Sequence, residues 1–480
     1  MSPSKERPVA DEAAVRAGDR IFSSPQELAI AVAGTLVCPG DRVCKRVVID
    51  SRLDCRDAVF FALRGENVDG HSFALEAAEK NAAAVVLTRA YLEEHPESVR
   101  AISNAACAIV TVDETLAALH RAAVAYRRSH DATRIGVTGS NGKTTTKELV
   151  AAVLGTSGTT YYSRGNLNSE TGLPLSVFEL KAEHQYAVFE MGISKPGEMD
   201  QLVSVLEPDA AVITNIGSAH IEFFGDRDTI AREKKMVFSR FTGAQVAFIP
   251  AADRYSAFLT ERVDARVVYY GPDVTPEFRG FTSLGLRGSE LVWRGRTIRL
   301  SIPGDHNVSN ALAAIAVGLE FGVSEDEIVA GIESVRSLFG RSEVVHGRVT
   351  CIRDYYNANP ESLDAVLTLA DAAEHAGPRV YVIGAMKELG AESHRAHADA
   401  VRRTAASRAD RIVFFGDEFK PHREAIAELG RRARYLGAFD ELVETLEAVL
   451  TGGELVLLKG SRGVALERLV EQVPILRANN

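Results

Sequence analysis

The stretch TGSNGKTTT, Thr138 to Thr146, follows the short β-branched run Arg134–Thr138 and opens a segment of helical periodicity. A glycine-rich turn between a strand and a helix aims backbone N–H groups and the helix N-terminus at an anion. Gly139, Ser140, Asn141, Gly142, Lys143, Thr144 and Thr145 are therefore candidates for holding nucleotide phosphates. Lys143 can reach the outer phosphates and the Thr144 hydroxyl can bind magnesium. The usual phosphate-loop pattern places a glycine five positions before Gly142, where this chain has Val137, so Gly139 supplies the tight turn instead. The plain alternative is a glycine-rich turn carrying an exposed lysine.

Working outward from the loop, the chain divides into three expected α/β domains, residues 20–130, 131–339 and 340–480. Its 480 residues exceed what one hydrophobic core serves. Before the loop, VVID, AVFFAL, AAAVVLT and CAIVTV read as short strands, with a helical stretch Phe73–Asn81 and an amphipathic segment Thr115–Arg128. After it, the strands Tyr186–Glu190 and Ala210–Thr214 alternate with helices, the pattern of a mostly parallel sheet covered on both faces. Strand and helix alternation restarts after Gly340 with VTCIRD, RVYVIGA, RIVFFG and ELVLLKG.

Composition narrows the function classes. Hydrophobic residues make up 46% and charged residues 25%, ordinary for a folded globular chain. A formal charge of -10 argues against a nucleic-acid coat, which needs excess basic residues. Cys38, Cys44, Cys55, Cys107 and Cys351 lack CxxC pairing, so reduced thiols and a cytoplasmic setting are expected. The polar start, Met1 to Gly18, predicts a mobile tail without a signal peptide. The apolar stretch Leu28–Cys38 is too short to span a bilayer and predicts a buried helix, so no membrane insertion is expected.

Beyond the loop, Glu190 in FEMG ends a predicted central strand, where a carboxylate faces bound phosphates. His220 in TNIGSAH follows the next strand, and the two together could hold a second cation, although a structural histidine fits the residues equally well. Lys234, in AREKKMVF, reads by itself as a solvated helix lysine.

In order along the chain stand TGSNGKTTT, RGNLNSETGLP, FEMG, TNIGSAHIEFFG, GDHNVSNALAA, DYYNANP and LLKGSRG, and this series resembles the Mur ligases of peptidoglycan synthesis. The resemblance covers nearly the whole chain. It implies an N-terminal α/β domain for a UDP-linked substrate, a central P-loop ATPase-like domain with a mostly parallel sheet, and a C-terminal Rossmann-like domain that closes over the site. It implies ATP and Mg2+ as cofactors and amide formation through an acyl phosphate. IDSR, GENVDGHSF, DYYNANP and MKELG point to the member that joins D-alanyl-D-alanine to UDP-N-acetylmuramoyl-tripeptide. Those two compounds are the implied partners, with a monomer favoured.

Residue by residue, the resemblance implies that Ser51, Arg52, Asn166 and Asn168 face the UDP-sugar, although Ser169 stands where Asn is common. Thr144 and Glu190 match ligands of one magnesium; Glu190, His220 and a carbamylated Lys234 match ligands of another. Lys235 is the neighbouring alternative for that lysine. Asn307 and Asn310 match positions near the adenine, with a helix N-cap as the plain reading of Asn307. Arg341 matches an arginine that approaches the phosphates, and Asp354 an acid at the ribose. Asn357 and Asn359 match substrate positions, and their motif NANP favours the dipeptide-adding member. Ala385 stands where an Asp is usual. Lys459 and Arg462 suit an anionic partner or a basic surface loop. Another Mur-type ligase, a folylpolyglutamate synthase-like ligase, and a nucleotide-binding module without catalysis remain as alternatives.

Overall fold

A computed structural model describes residues 20–65 and 67–477. The tail expected over Met1–Gly18 lies outside the described residues. Contacts gather the chain into two compact units. The first holds the chain up to Arg134 with Thr159–Met191 and Asp200–Pro208; the second holds Ile135–Gly158, Gly192–Met199 and Asp209 onward.

In the first unit a five-stranded sheet runs Thr35–Cys38, Ala108–Val112, Ala84–Thr88, Ala58–Phe61, Arg46–Val48. All neighbours are parallel except Thr35–Cys38, which pairs antiparallel at one edge. Ala58–Phe61 and Ala108–Val112 are buried at every position, which is what a parallel sheet covered on both faces demands. The helix Thr115–Arg127 ends in a buried guanidinium. Arg127 Nη1 donates to Val205 O at 3.0 Å and Nη2 pairs with Glu207 Oε2 at 2.6 Å, which fastens Asp200–Pro208 to this helix. Strand Tyr186–Glu190 pairs parallel with Thr160–Tyr162.

One expectation fails here. The stretch Leu28–Cys38 is not a buried helix: the helix is Pro25–Ala31, and Thr35–Cys38 is the edge strand. Ala33 takes a left-handed φ of 53°, which breaks the helix before Gly34. Ile30 is 72% exposed, so the helix is only partly covered.

The second unit opens with parallel strands in the order Arg266–Tyr270, Val246–Pro250, Ala210–Ile213, Thr133–Thr138. The helix Lys143–Gly155, which leaves the phosphate loop, packs on His306–Glu320 and Glu325–Ser334. A small antiparallel sheet, Phe278–Ser283, Ser289–Trp293 and Arg296–Leu300, follows and is absent from the sequence reading. Its buried Trp293 donates Nε1–H to Pro276 O at 2.9 Å, which satisfies the indole inside the core.

The four strands expected after Gly340 lie in a six-stranded sheet ordered Glu343–His346, Thr350–Asp354, Leu455–Lys459, Arg379–Gly384, Arg411–Phe415, Ala433–Leu436, whose two edge strands, Glu343–His346 and Ala433–Leu436, were not expected. Only the first pair is antiparallel. The last strand in sequence, Leu455–Lys459, is inserted between Thr350–Asp354 and Arg379–Gly384. That insertion makes Asp354 and Lys459, which pair in register, the carboxyl ends of neighbouring strands at a switch in strand order. Open α/β sheets bind ligands at such points.

Candidate active site

The phosphate loop owes its shape to left-handed glycines and to a second segment. Gly139 has φ 146° and a Cβ there would stand 1.8 Å from Thr214 Oγ1, while Gly142 has φ 80° and faces Asn310. Only glycine fits the first of these positions. Asn215 accepts from Ser140 N through its carbonyl at 3.0 Å and from Asn141 N through Oδ1 at 3.0 Å. Thr214 Oγ1 and Asn215 Nδ2 both donate to Asn141 O, at 2.6 and 3.0 Å, and Gly217 N donates to Ser140 Oγ at 2.8 Å. Sequence reasoning missed Thr214 and Asn215; their signal was present in TNIGSAH, whose polar residues directly follow a buried strand.

Lys143 starts the helix and folds back, donating Nζ–H to Gly139 O at 2.9 Å and to Ser140 O at 3.3 Å. Thr144 is buried beside it and Thr145 is half-buried. Lys234 overturns its plain reading as a solvated lysine: it is 1% exposed near the end of helix Arg227–Lys235. Among the described residues no carboxylate pairs with its amine. Burial first, and then the Lys143 charge, hold its ammonium well below the ordinary lysine range. Lys235 instead turns outward, donating to Phe258 O at 2.7 Å and Glu261 O at 2.6 Å, so the structure separates the two lysines.

His220 precedes the short helix Ile221–Phe224 with a left-handed φ of 60°. Its Nδ1 lies 2.5 Å from Glu388 Oε2. Residues on either side of His220 meet the start of helix Pro360–Ala372: Ser218 Oγ donates to Glu361 Oε2 at 2.6 Å, and Arg227 Nη2 pairs with Glu361 Oε1 at 2.5 Å. Neither Glu361 nor Glu388 was singled out from sequence, because nothing local distinguishes a carboxylate whose partner lies 143 positions away, as Ser218 does from Glu361.

Asn307 is not a helix cap, since Asp305 occupies that position. Its Nδ2 donates to Pro303 O at 2.8 Å, its Oδ1 accepts from Asn310 Nδ2 at 2.9 Å, and Asn310 Oδ1 accepts from Thr146 Oγ1 at 3.1 Å. The pair ties helix His306–Glu320 to the helix after the loop. Asn359 caps helix Pro360–Ala372 and donates Nδ2–H to Asn141 Oδ1 at 2.8 Å, while Asn357 accepts from Ala358 N.

Asp354 is gripped on both oxygens, by Lys459 Nζ at 2.7 Å and by Ser342 N at 2.9 Å. Lys459 also donates to Asn357 O at 2.7 Å and is 1% exposed. It is therefore an internal tie and not part of a basic surface loop: its anionic partner is Asp354. Arg341 lies 3.9 Å from the ring centre of Tyr356, with Arg462 at 5.3 Å from the same ring. Ala385 is fully buried.

In the first unit, Glu190 ends its strand 3% exposed; its N–H donates to Ser163 Oγ at 3.0 Å and its Oε1 accepts from Asn168 Nδ2 at 2.8 Å. Asn166 is exposed and accepts from Asn168 N through its carbonyl. Ser51 donates to Glu76 Oε2 at 3.0 Å, and the Arg52 side chain, 86% exposed, pairs with Asp50 at 2.6 Å.

A glycine loop at a strand end, a buried amine beside it and a Rossmann-like sheet facing it fit an enzyme that works on the phosphates of a nucleotide, and comparison places it. The descriptions "Mur ligase family, catalytic domain", "Mur ligase middle domain" and "Mur ligase, glutamate ligase domain" match residues 44–127, 137–318 and 340–462, so the chain belongs to the Mur ligase family. It is 42% identical over 457 residues to the UDP-N-acetylmuramoyl-tripeptide--D-alanyl-D-alanine ligase of Treponema pallidum, covering 94% of this chain and 98% of that one. Among solved structures it resembles MurF from Acinetobacter baumannii, with TM-score 0.83 and 30% identity over 94% of this chain and 98% of that one. MurF ligase from Thermotoga maritima, solved in complex with ADP, matches with TM-score 0.74 and 28% identity over 90% and 97%. Among the described residues no helix is long and apolar enough to cross a membrane.

Proposed function

We propose that this chain is an ATP-dependent ligase that adds D-alanyl-D-alanine to UDP-N-acetylmuramoyl-tripeptide, giving the UDP-pentapeptide precursor of peptidoglycan. The observation that carries this reading is the 42% identity, over 94% of the chain, to the Treponema pallidum ligase of that name. In this reading the enzyme is a cytoplasmic monomer with domains over 20–130, 131–339 and 340–480.

The chemistry runs in two steps. The terminal carboxylate of the tripeptide attacks the γ-phosphorus of ATP, forming an acyl phosphate and releasing ADP. The amine of D-alanyl-D-alanine then attacks the acyl carbon; the C–N bond forms, the C–O bond to phosphate breaks, and the amine proton leaves to solvent. A carboxylate approaching a triphosphate is repelled, so the protein must neutralise charge and hold the partners in line. Lys143 exchanges its contacts with Gly139 O and Ser140 O for phosphate oxygens, and Gly139–Thr145 supply N–H donors at the helix N-terminus.

Magnesium, when bound, screens the phosphate oxygens as charge moves between them. Thr144, Glu190, His220 and Lys234 are the residues assigned to hold it. Magnesium is commonly held by one or two carboxylates together with phosphates and waters, so a dense acidic cluster is not required, and among the described residues there is none. The buried amine of Lys234 fits this role after modification: burial favours its uncharged form, which can add CO2, losing one proton and gaining a carbamate carboxylate. Asn307, Asn310, Arg341 and Asp354 are assigned to the nucleotide, Ser51, Arg52, Asn166 and Asn168 to the UDP-sugar, and Asn357 and Asn359 to the substrates.

Phosphate release from ATP, followed with UDP-N-acetylmuramoyl-tripeptide in the presence and absence of D-alanyl-D-alanine, tests the reading. Release that needs both, with a pentapeptide product by mass, is the expected result. Lys143→Ala should lower the rate by roughly a thousandfold or more. Release without the dipeptide, or turnover with single amino acids or folates in its place, refutes the substrate assignment.

A further inference from the structure

His220 meets a carboxylate delivered by the C-terminal sheet. Glu388 lies in the turn MKELG that follows strand Arg379–Gly384, and its Oε2 stands 2.5 Å from His220 Nδ1. Oε2 is off the axis of the ring N–H, so this is a close polar contact and not an aligned hydrogen bond. Both residues hold left-handed backbones, with φ 60° at His220 and φ 61° at Glu388. Non-glycine residues avoid that conformation unless the surroundings impose it, and such residues concentrate at functional sites.

The surroundings do impose it. Met386 N donates to Nε2 of the fully buried His397 at 3.1 Å, and His397 Nδ1 lies 2.7 Å from Ser393 O, an acceptor, which fixes that ring's tautomer. Lys387 N donates to Ser461 Oγ at 2.9 Å. On the facing side Glu222 N donates to Glu388 O at 3.2 Å, so the turn is tied by its backbone to the residues just after His220. Glu388 reaches His220 from a turn braced at three points.

An unprotonated ring nitrogen and a carboxylate oxygen 2.5 Å apart would set two lone pairs against each other, so the nitrogen on that side carries the proton, and in a neutral imidazole the other nitrogen then keeps its lone pair. Metal-binding histidines are commonly oriented in this way by a carboxylate behind the ring. We propose that Glu388 is a positioning residue for His220, holding the ring as the Nδ1–H tautomer so that Nε2 is the donor to the divalent cation accompanying the nucleotide. This rests on His220 having the metal role assigned to it under the proposed function.

The test uses metal-free, full-length protein labelled with 15N-histidine, with His220→Gln to identify the His220 signals. Wild type should show His220 as Nδ1–H. Glu388→Ala should move it toward Nε2–H, the form free imidazole prefers, and Glu388→Asp should restore part of the wild-type signature. Mn2+ affinity, read by electron paramagnetic resonance with ADP present, should fall about 10- to 100-fold in Glu388→Ala. Glu388→Gln, which keeps the side-chain volume, serves if the Ala variant fails to fold, and should lose Mn2+ affinity in the same direction. An unchanged tautomer, or unchanged Mn2+ affinity in a folded variant, overturns the proposal. Wild type that shows the tautomer but forms no amide product would instead overturn the ligase reading, so the two failures are separable.

Discussion

Asn359 joins the phosphate loop to a helix start through one side-chain amide: its Nδ2 donates to Asn141 Oδ1 in the loop at 2.8 Å, and its Oδ1 accepts from Ser362 N at 2.9 Å to cap helix Pro360–Ala372. The two roles can be separated by substitution. Asn359→Asp keeps the acceptor and loses the donor, so its melting temperature should stay near wild type while KM for ATP rises about tenfold, the equivalent of one hydrogen bond to the loop. Asn359→Ala loses both and should also cost about 1 kcal/mol of stability. Thermal melts with steady-state kinetics decide it; an unchanged KM in the Asp variant means the loop does not depend on this contact.

Gly139→Ala should abolish a working loop. The added methyl would sit 1.8 Å from Thr214 Oγ1, and φ 146° is closed to alanine in any case. ADP affinity measured by calorimetry should drop at least about tenfold. Removing the Thr214 hydroxyl in the double variant Gly139→Ala/Thr214→Ala should not restore it, because the backbone conformation is the larger obstacle. Recovery in the double variant would show that the clash alone was responsible.

Lys234 predicts a pH dependence whose sign follows from its depressed ammonium. The unfolded chain holds this proton up to the ordinary value of 10.5, whereas the folded, unmodified and metal-free protein releases it earlier. Between those points the unfolded state binds more protons, so folding stability gains as pH rises; below the folded value the full penalty for burying the charge applies. Lys234→Met removes the group and should flatten this rise. Denaturant midpoints of metal-free wild type and variant, compared from neutral pH toward 10.5, should therefore converge at the alkaline end. Parallel curves would mean that Lys234 is solvated or paired in solution.

Thiol chemistry gives an independent check on the cores. Burial pushes the Cys44, Cys107 and Cys351 thiols up to about 12, and all five cysteines are free. A thiol must ionise to react. Native alkylation at neutral pH should therefore modify Cys38, which is half-buried, and leave the buried four until denaturant is added. Early modification of Cys351 would show that the C-terminal sheet opens.

Much of this molecule was legible in its sequence because strands buried on both faces must be apolar throughout, as in AVFFAL and ELVLLKG, and because a glycine at a positive φ leaves a visible mark in GSNGK. Buried Lys234 was not legible as such, since AREKK has the composition of a solvated helix. The edge strand Thr35–Cys38 was misread because its apolar residues run on from a helix without a polar break; Ala33, which turns the chain, is an ordinary residue in an unusual conformation. The antiparallel sheet Phe278–Leu300 escaped notice because it is short and half-exposed, with arginines filling the outer positions. Glu361 and Glu388 could not be found locally: each acts on a residue in another part of the chain, and nothing in their own neighbourhoods states that.

The tethering of Ser140 and Asn141 to Thr214, Asn215 and Gly217 has a consequence for biogenesis. The loop motif is synthesised first, but the groups that set its shape arrive 74 positions later, after strand Ala210–Ile213 has joined the sheet. A nascent chain stopped before residue 214 thus carries the whole phosphate motif without its mould, and competence for nucleotide appears only when that distant strand is in place.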